Sequence, residues 1–484
     1  MDLLLNETDT RSDLDPIIVG LPWEDGWEYG WEYGSGLDAV TGNRMFTALK
    51  KPEIVKATMR QSAYSGRMIY TDSQFSQEVD VNMSAKYNIG GVDVSGSAKY
   101  LEKISYSQMS LSIVVRYRIF YSDYDYALPE SLELTDEAKG FINDPPAFRK
   151  RYGDYFVAGS RRVSEFVAIY NLFGKDSQKV REFEASFGAV SSILSVDGSI
   201  ALREKAEEHG LTISCSVDCL GLTEPLPIIP TTPDQIIEAL TWFNEHQEGV
   251  RQEVMLMHYS QLDKNYPMSV DVPPDVFVKL HALYRSLWSV RALYVALPPR
   301  YKDRFYDRVD DVITTVTSNQ SVLPRDLDLR NQLISTVSDL RADLREVADR
   351  YDFWVTVKEA IPSEPKGSEG ISAAKGQYTW MYGFATYPSS LAVVIDSTSE
   401  AFVRGSRAGW QQTTIEYKPD YGRKIVGWKV ESRWKDNTNG QWWKVGGTIL
   451  TADHGAVHVK SAHLRGCDWL VTYYTVPKAD YDFD

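Results

Sequence analysis

Residues 147–172 read AFRKRYGDYFVAGSRRVSEFVAIYNL, a short helix that runs into one long strand. The strand half alternates outward and inward positions as far as Asn171 and is rich in β-branched and aromatic residues, the composition that suits a pleated, half-buried surface. Pro145-Pro146 closes off the stretch before it, LTDEAKGFIN (residues 134–143), which reads as a helix with Thr135 as N-cap. Further upstream, LSIVVRYRIFYS (residues 111–122) is a second strong strand.

Working outward, the stretch VDVNMSAKYNIGGVDVSGSAKY (residues 79–100) alternates on both sides of Gly90-Gly91. Val79, Val81, Met83, Ala85, Tyr87 and Ile89 share one face, then Val92, Val94, Gly96, Ala98 and Tyr100; Asp80, Asn82, Ser84, Lys86, Asn88, Asp93, Ser95, Ser97 and Lys99 share the other. Period two around a turn dipeptide predicts a hairpin. Its first arm has about 11 residues at roughly 3.4 Å each, and a tilt near 45° gives a vertical reach of about 26 Å, the height of the apolar band of a membrane barrel. Half-buried hairpins of ordinary antiparallel sheets carry the same alternation. The small residues Ala85, Gly96 and Ala98 also permit a compact helical form, so the segment is compatible with two states.

The chain has 484 residues, enough for two or three domains and a large core, with 43% hydrophobic and 12% aromatic residues. A formal charge of -15 opposes nonspecific attraction to nucleic acid or anionic headgroups, so no nucleic-acid partner is expected. No apolar run approaches a spanning helix, and the start MDLLLNETDTRSDLD lacks a basic region followed by an apolar one. The expectation is a soluble chain, secreted or released without a recognisable signal peptide. Cys215, Cys219 and Cys467 are too few for a disulfide scaffold, and the first two, four apart in one strand, cannot bridge each other; buried free thiols are the default, with a bridge from Cys467 left open.

Near the start, GWEYGWEYGSGLDAVTGN (residues 26–43) repeats one tetrad and reads as a Gly-aromatic loop. Helical spacing governs residues 233–250, 273–297 and 329–354, with Pro near several helix starts. IPSEPKGSEG (residues 361–370) is the linker, which divides the chain into residues 1–360 and a C-terminal β-rich unit, residues 371–484. There, Asn439-Gly440 is a hairpin turn signal, and Trp428, Trp434, Trp442 and Trp443 either fill a small core or bind sugar, lipid or protein. Adjacent Trp442 and Trp443 point to opposite faces of a strand, which makes them the targeting candidates.

No Gly-x-Ser-x-Gly, phosphate-cradling loop or His-Glu-x-x-His motif is present, so no catalytic residues and no cofactor are assigned and the chain is not expected to be an enzyme. The nearest metal-like set, Asp453, His454, His458, His463 and Cys467, places His454 and His458 about 13 Å apart in a strand; surface and turn histidines are the plainer reading, and no metal is expected.

Tyr152-Gly153-Asp154-Tyr155-Phe156 resembles the Tyr-Gly-Thr-His-aromatic signature of the membrane attack complex/perforin (MACPF) family. Asp154 and Tyr155 stand where the family has Thr and His, and the Gly pair that follows in the family is replaced by residues around Val163 and Ser164. SGLDAVTGN (residues 35–43) is similar to the opening of pleurotolysin B-like fungal members. The likeness spans roughly residues 20–265. It implies an α+β fold of the MACPF/cholesterol-dependent-cytolysin type, a bent antiparallel four-stranded sheet flanked by two helical clusters that each unfurl into a membrane hairpin, here followed by the C-terminal β-rich domain.

By this resemblance residues 79–100 form the first membrane-inserting hairpin and residues 180–217 the second, with Phe183, Ala185, Phe187 and Ala189 alternating and Asp197-Gly198 as its turn. The run REKAEEH (residues 203–209) either faces a lumen or is a solvated helix face. The implied function is a pore-forming protein that binds target-membrane lipid, forms a homo-oligomeric ring and inserts a transmembrane β-barrel, with an aegerolysin-like lipid-binding partner in a two-component cytolysin. The alternative is a non-lytic recognition or adhesion protein of the same fold that binds glycan or protein.

Overall fold

The computed structural model describes residues 17–20, 30–40, 42–56, 60–83, 98–107, 109–121, 125–174, 177–188, 190–263, 266–267, 272, 274–360, 377–380, 391–402, 414–417, 421–435, 442–444, 448–452, 457–461 and 468–483. The short strands β1 (Ile17–Gly20), β2 (Gly36–Leu37), β3 (Arg44–Met45) and β4 (Ile54–Val55) precede β5 (Gln61–Ile69), helix α1 (Asp72–Met83), β6 (Ser110–Phe120) and β7 (Asp125–Ala127). Helices α2 (Asp136–Phe141) and α3 (Pro145–Tyr152) lead into the 19-residue β8 (Tyr155–Phe173). Then come α4 (Ser177–Ser186), α5 (Val196–Glu208), β9 (Thr212–Leu220), α6 (Pro233–His246) and β10 (Val250–His258).

These strands form one ten-stranded antiparallel sheet, wider than the four strands expected. The four long strands run β5-β6-β8-β9, and the surplus arises because β8 outruns its neighbours. From Phe173 to Val163 it pairs with β6, and from Phe173 to Glu165 with β9. Beyond that point β10 takes over one side from Val163 to Tyr155, while β7 and then β2 take the other. Unpaired backbone groups in a buried strand are costly, so a strand this long needs two sets of partners.

Alternation along β6 and β8 separates two cores. Leu111, Ile113, Val115, Phe166, Ala168, Tyr170 and Leu172 face α4, α5 and α6. Val114, Val167 and Ile169 face the opposite layer, built from α1, α7 (Pro274–Ala296), α8 (Pro299–Ser318) and α9 (Leu327–Ala360). In α8 the buried residues Tyr301, Phe305, Val309, Val312 and Val316 follow helical spacing, as one-sided packing requires.

The C-terminal region holds β11 (Gln377–Trp380), β12 (Val394–Phe402), β13 (Thr414–Tyr417), β14 (Arg423–Lys435), β15 (Trp442–Lys444), β16 (Thr448–Ala452), β17 (Val457–Ser461) and β18 (Asp468–Pro477). They form an antiparallel sheet in the order β11-β14-β18-β12, with β15 on β14, and a three-stranded sheet β13-β17-β16. Asn439-Gly440 lies in the connection between β14 and β15, and that connection, like the 361–370 linker, lies outside the described residues.

The two sequence stretches on which the resemblance rests meet at the start of β8. Thr135 caps α2 by accepting from Ala138 N at 3.1 Å, and Asp144 caps α3. Gly153 ends α3 at φ +79°, where an added Cβ would lie 2.3 Å from the Leu37 carbonyl oxygen. A Cβ on Gly36 would lie 2.0 Å from the Tyr152 carbonyl oxygen, so the strands approach through two glycines. Asp154, wholly buried, accepts from Ala39 N at 2.9 Å and from Arg149 Nε. Burial raises its carboxyl above the usual range despite those partners. Phe148, Tyr152, Phe156, Tyr259 and Tyr266 pack around the junction, with Tyr266 Oη donating to the Gly153 carbonyl at 3.1 Å.

Gly153→Ala is therefore expected to destabilise the protein by about 2–4 kcal/mol in urea unfolding, from backbone strain plus the clash. Gly140→Ala, in α2 with nothing within 4 Å of the new methyl, should be neutral or slightly stabilising. Equal effects at the two sites would remove the junction from the account.

Candidate functional site

The described ends of the first candidate segment are helical. Val79, Val81 and Met83 stand on α1, and Ala98 and Tyr100 on a 3-10 helix (Ala98–Lys103). Ala85, Tyr87, Ile89, Val92, Val94 and the Gly90-Gly91 pair lie outside the described residues. A local signal that the sequence reading passed over explains the helix. Thr71 and Gln74 make a capping box, Thr71 Oγ1 accepting from Gln74 N at 3.2 Å and Gln74 Oε1 from Thr71 N at 3.1 Å. Phe75 and Val79, one helical turn apart, are both fully buried against α7 and the sheet.

Both ends of this segment are tied to a buried ionic cluster on the sheet. Glu78 of α1 is 4% exposed and Tyr100 is not exposed at all; Tyr100 Oη donates to Glu78 Oε1 at 2.6 Å. Arg116 of β6 lies 3.9 Å from the same carboxylate, holds Glu165 of β8 at 2.5 Å, and sits 5.5 Å from the centre of the Tyr100 ring. Arg67 of β5 reaches Glu78 at 3.3 Å. One step further along, Arg118 and Arg161 share Glu253 of β10 at 2.5 and 2.7 Å. Burial alone would push the Glu253 carboxyl up, but the two guanidinium groups outweigh it and hold it below the usual range. Arg116 is shifted further toward its cation because Glu165, Tyr100 and Glu78 offset its own desolvation. The cluster joins β5, β6, β8 and β10 to Glu78 and Tyr100 at the two ends of the segment.

The second segment is helical in α4 and α5 and ends in strand β9. Phe183 and Ala185 lie on α4, where Phe183 and Phe187 stack at 5.1 Å in the core while Ala185 is exposed; Ala189 lies outside the described residues. Spacing by four puts two residues on one side of a helix as well as a strand, so the alternation read from Phe183 and Phe187 does not discriminate. Asp197-Gly198 is the first turn of α5 rather than a hairpin turn. Ser195 Oγ caps it by accepting from Gly198 N at 3.1 Å. Of the REKAEEH run, Arg203, Glu204, Glu207 and Glu208 are exposed and Ala206 is buried, a solvated helix face in this state. Between α4 and α5, Tyr64 of β5 donates to the Val190 carbonyl at 2.8 Å, and a Cβ on Gly66 would lie 2.5 Å from Val190 Cγ1. The second segment thus rests on the edge strand of the sheet.

Around Val163 and Ser164 the close-approach glycines occupy the neighbouring strand ends instead of β8. Gly221 and Gly249 have φ of +75° and +81°, and a Cβ on Gly221 would lie 2.9 Å from Gly249 Cα and 2.7 Å from Ser164 Oγ. This is where β8 changes partners. Ser164 Oγ also pairs with Tyr121 Oη at 3.0 Å.

The signature residues Tyr152, Gly153, Asp154, Tyr155 and Phe156 serve the junction described above and project no convergent chemistry. Cys215 and Cys219 are free in β9, and burial pushes both thiols up to about 12. Trp442 and Trp443 lie in β15, opposite Lys435 and Trp434. Of the metal-like set only His458, in β17, falls within the described residues. Among the described residues no helix is long and apolar enough to cross a membrane.

No protein-family model and no curated protein matches the chain. Among solved structures it is similar to stonustoxin, at 13% identity and a TM-score of 0.42 over 75% of this chain and 54% of that one, so it spans about half of that protein. It is also similar to GNIP1Aa from Chromobacterium piscinae, at 10% identity and 0.26 over 92% and 70% of the two chains. A third is astrotactin-2, described as a conserved vertebrate-specific and perforin-like membrane protein involved in neuronal development, at 8% and 0.20 over 95% and 69%.

Glu165→Ala, which leaves Arg116 without its closest carboxylate, is expected to cost about 3–5 kcal/mol in urea unfolding. Removing the exposed Lys50–Glu133 pair should leave stability nearly unchanged, because solvent screens it. For Glu253, whose carboxyl is lowered, the stabilisation is present above the usual glutamate range and is lost as pH falls from there through the folded value. Glu253→Gln should therefore lower stability at neutral pH and flatten its acid decline; an unchanged acid limb would contradict the assignment.

Proposed function

We propose that this chain is a MACPF-type pore-forming protein. It binds a target membrane, assembles into a homo-oligomeric ring, and contributes residues 79–100 and 180–217 as two hairpins to a transmembrane β-barrel. The observation that carries this reading is a conflict of periods. Residues 79–100 alternate as membrane strands do, yet their ends are held as helix and 3-10 turn by a buried cluster that includes Glu78 and Tyr100. A stretch with strand period and helical caps has two compatible folds, one in water and one in a barrel.

The mechanism is conformational. Only a closed barrel satisfies every backbone group in hydrocarbon, so insertion requires neighbouring subunits to supply edge partners. β5, mostly exposed along its length, and β9 are the edges of the four-strand block. In the barrel Val81 and Val94 face lipid, while Asp80, Asn82, Asp93 and Ser95 face the lumen. Targeting falls to the C-terminal β-rich region, with Trp442 and Trp443 as its candidates and an aegerolysin-like protein as the candidate co-receptor. The charge of -15 favours such specific recruitment over adsorption.

The test is dye release from liposomes of natural lipid mixtures, with and without an aegerolysin, followed by electron microscopy for rings. Val81→Asp and Val94→Lys should each abolish release and spare binding, since a charge on the lipid face is unfavourable in every subunit, by about 2–4 kcal/mol for lysine at mid-membrane and less for aspartate. Release that survives both changes would overturn the lipid-face assignment. Binding without release by the unmodified protein, under every lipid and partner tried, would favour the recognition or adhesion reading.

A further inference from the structure

One helix touches both the start of the first segment and the C-terminal region. On α9, Arg345 Nη2 pairs with Asp72 Oδ1, the first residue of α1, at 2.7 Å, and its guanidinium stacks 4.0 Å from the Tyr106 ring centre. Tyr106 Oη donates to the same Asp72 oxygen at 2.8 Å and pairs with Ser289 Oγ of α7 at 2.7 Å, so Asp72 is the meeting point of three elements. Burial opposes ionisation of Asp72, yet Arg345 and Tyr106 bring its carboxyl below the usual range.

Five to nine residues further along α9, about 8–13 Å at helical rise, the contacts are with the C-terminal region. Arg350 lies 3.6 Å from Asp480, and Trp354, buried, lies under Lys424 Nζ of β14 at 4.5 Å. Tyr481 is fully buried, with its ring 6.2 Å from Phe353 and 6.3 Å from Trp354, and Phe483 packs on Tyr351 at 5.4 Å and on Tyr301 of α8 at 4.6 Å. Lys424 Nζ also donates to the Tyr481 carbonyl at 3.2 Å, binding the 478–483 tail to β14. The same helix carries this seat and the Asp72 anchor, and between Arg345 and Trp354 its Asp352 accepts from Ser107 Oγ and, at 3.2 Å, from Ser110 Oγ of β6.

We propose that α9 is a tie rod that couples the C-terminal β region to the first segment: a ligand that shifts the 478–483 tail on β14 loosens the Arg345–Asp72 anchor and frees residues 72–83. The inference rests on the pore reading for its consequence, release of a hairpin at a recognised surface. The coupling itself belongs to the soluble protein. Linkage makes it reciprocal, so loosening either end must loosen the other. That requirement separates a tie rod from two independent local contacts.

Hydrogen exchange on the full chain in solution, without membrane, decides it. Tyr481→Ala is expected to speed exchange of residues 72–83 by at least about threefold, and Asp72→Asn to do the same for residues 478–483, with residues 166–172 unchanged in both. If Tyr481→Ala unfolds the C-terminal sheet, Asp480→Asn provides the milder arm with the same expectation. Lys50→Ala, which removes an exposed pair with Glu133 outside α1, α8, α9 and the C-terminal region, should change neither end. Exchange that quickens only around the substituted residue would overturn the coupling. Because no lipid is present, that failure is separate from a failure to release dye.

Discussion

A carboxylate and a guanidinium that cannot leave each other set the terms for the rest of this molecule. Glu165 is 1% exposed in the middle of β8, where Arg116 on the neighbouring strand holds it at 2.5 Å and Arg118 of the same strand lies 3.9 Å away. An isolated charge at such a site is prohibitively costly, so the register between β6 and β8 cannot slip without stranding both groups. Around that fixed pair the face becomes polar in a core that is otherwise apolar. It needs further counter-charge and hydrogen-bonding groups from the layer above, and Glu78 and Tyr100 supply them. The ends of the first candidate segment therefore belong to the sheet by charge complementarity, in addition to the apolar contacts of Phe75 and Val79.

The same strand explains the height of the sheet. β8 exchanges all of its partners between Val163 and Glu165, and its neighbours turn away there through Gly221 and Gly249 with positive φ. A side chain at either glycine would strike the opposing backbone or the Tyr121 ring. Glycines on the flanking strand ends give the close approach while β8 keeps Val163 and Ser164, and with them an unbroken, well-packed strand. The absence of a Gly pair from β8 thus moves the conformational freedom to its neighbours.

Seen from both ends, α9 gives the helical layer a role besides covering the apolar face. It carries Arg345 to the start of α1 and Trp354 to the tail of the C-terminal region. The physical content of such coupling is the differential free energy of the two ends in their held and released states.

Legibility followed the range of the forces involved. Long alternating runs of β-branched and aromatic residues marked β6 and β8, and Thr135 and the three- and four-residue apolar spacings marked α2, α6, α7 and α9, because these signals act within a few residues. The candidate segments were harder. Val79 to Met83 and Phe183 to Phe187 satisfy period two and a spacing of four together, so a local pattern cannot choose between strand and helix. The capping box at Thr71 and Gln74 was the local clue available for α1. What chose helix was tertiary: the cover of α7, the charge on Arg116, and the buried place for Tyr100, brought together from positions far apart in the chain. By itself the sequence determined the alternating pattern, the strand-rich core and the lack of a catalytic motif, all of which follow from local composition and spacing. Only the tertiary structure decided that the described ends of the first segment and most of the second are held as helices and that Glu78, Arg116 and Glu165 share one buried site, because burial and counter-charge exist only once distant strands are in contact.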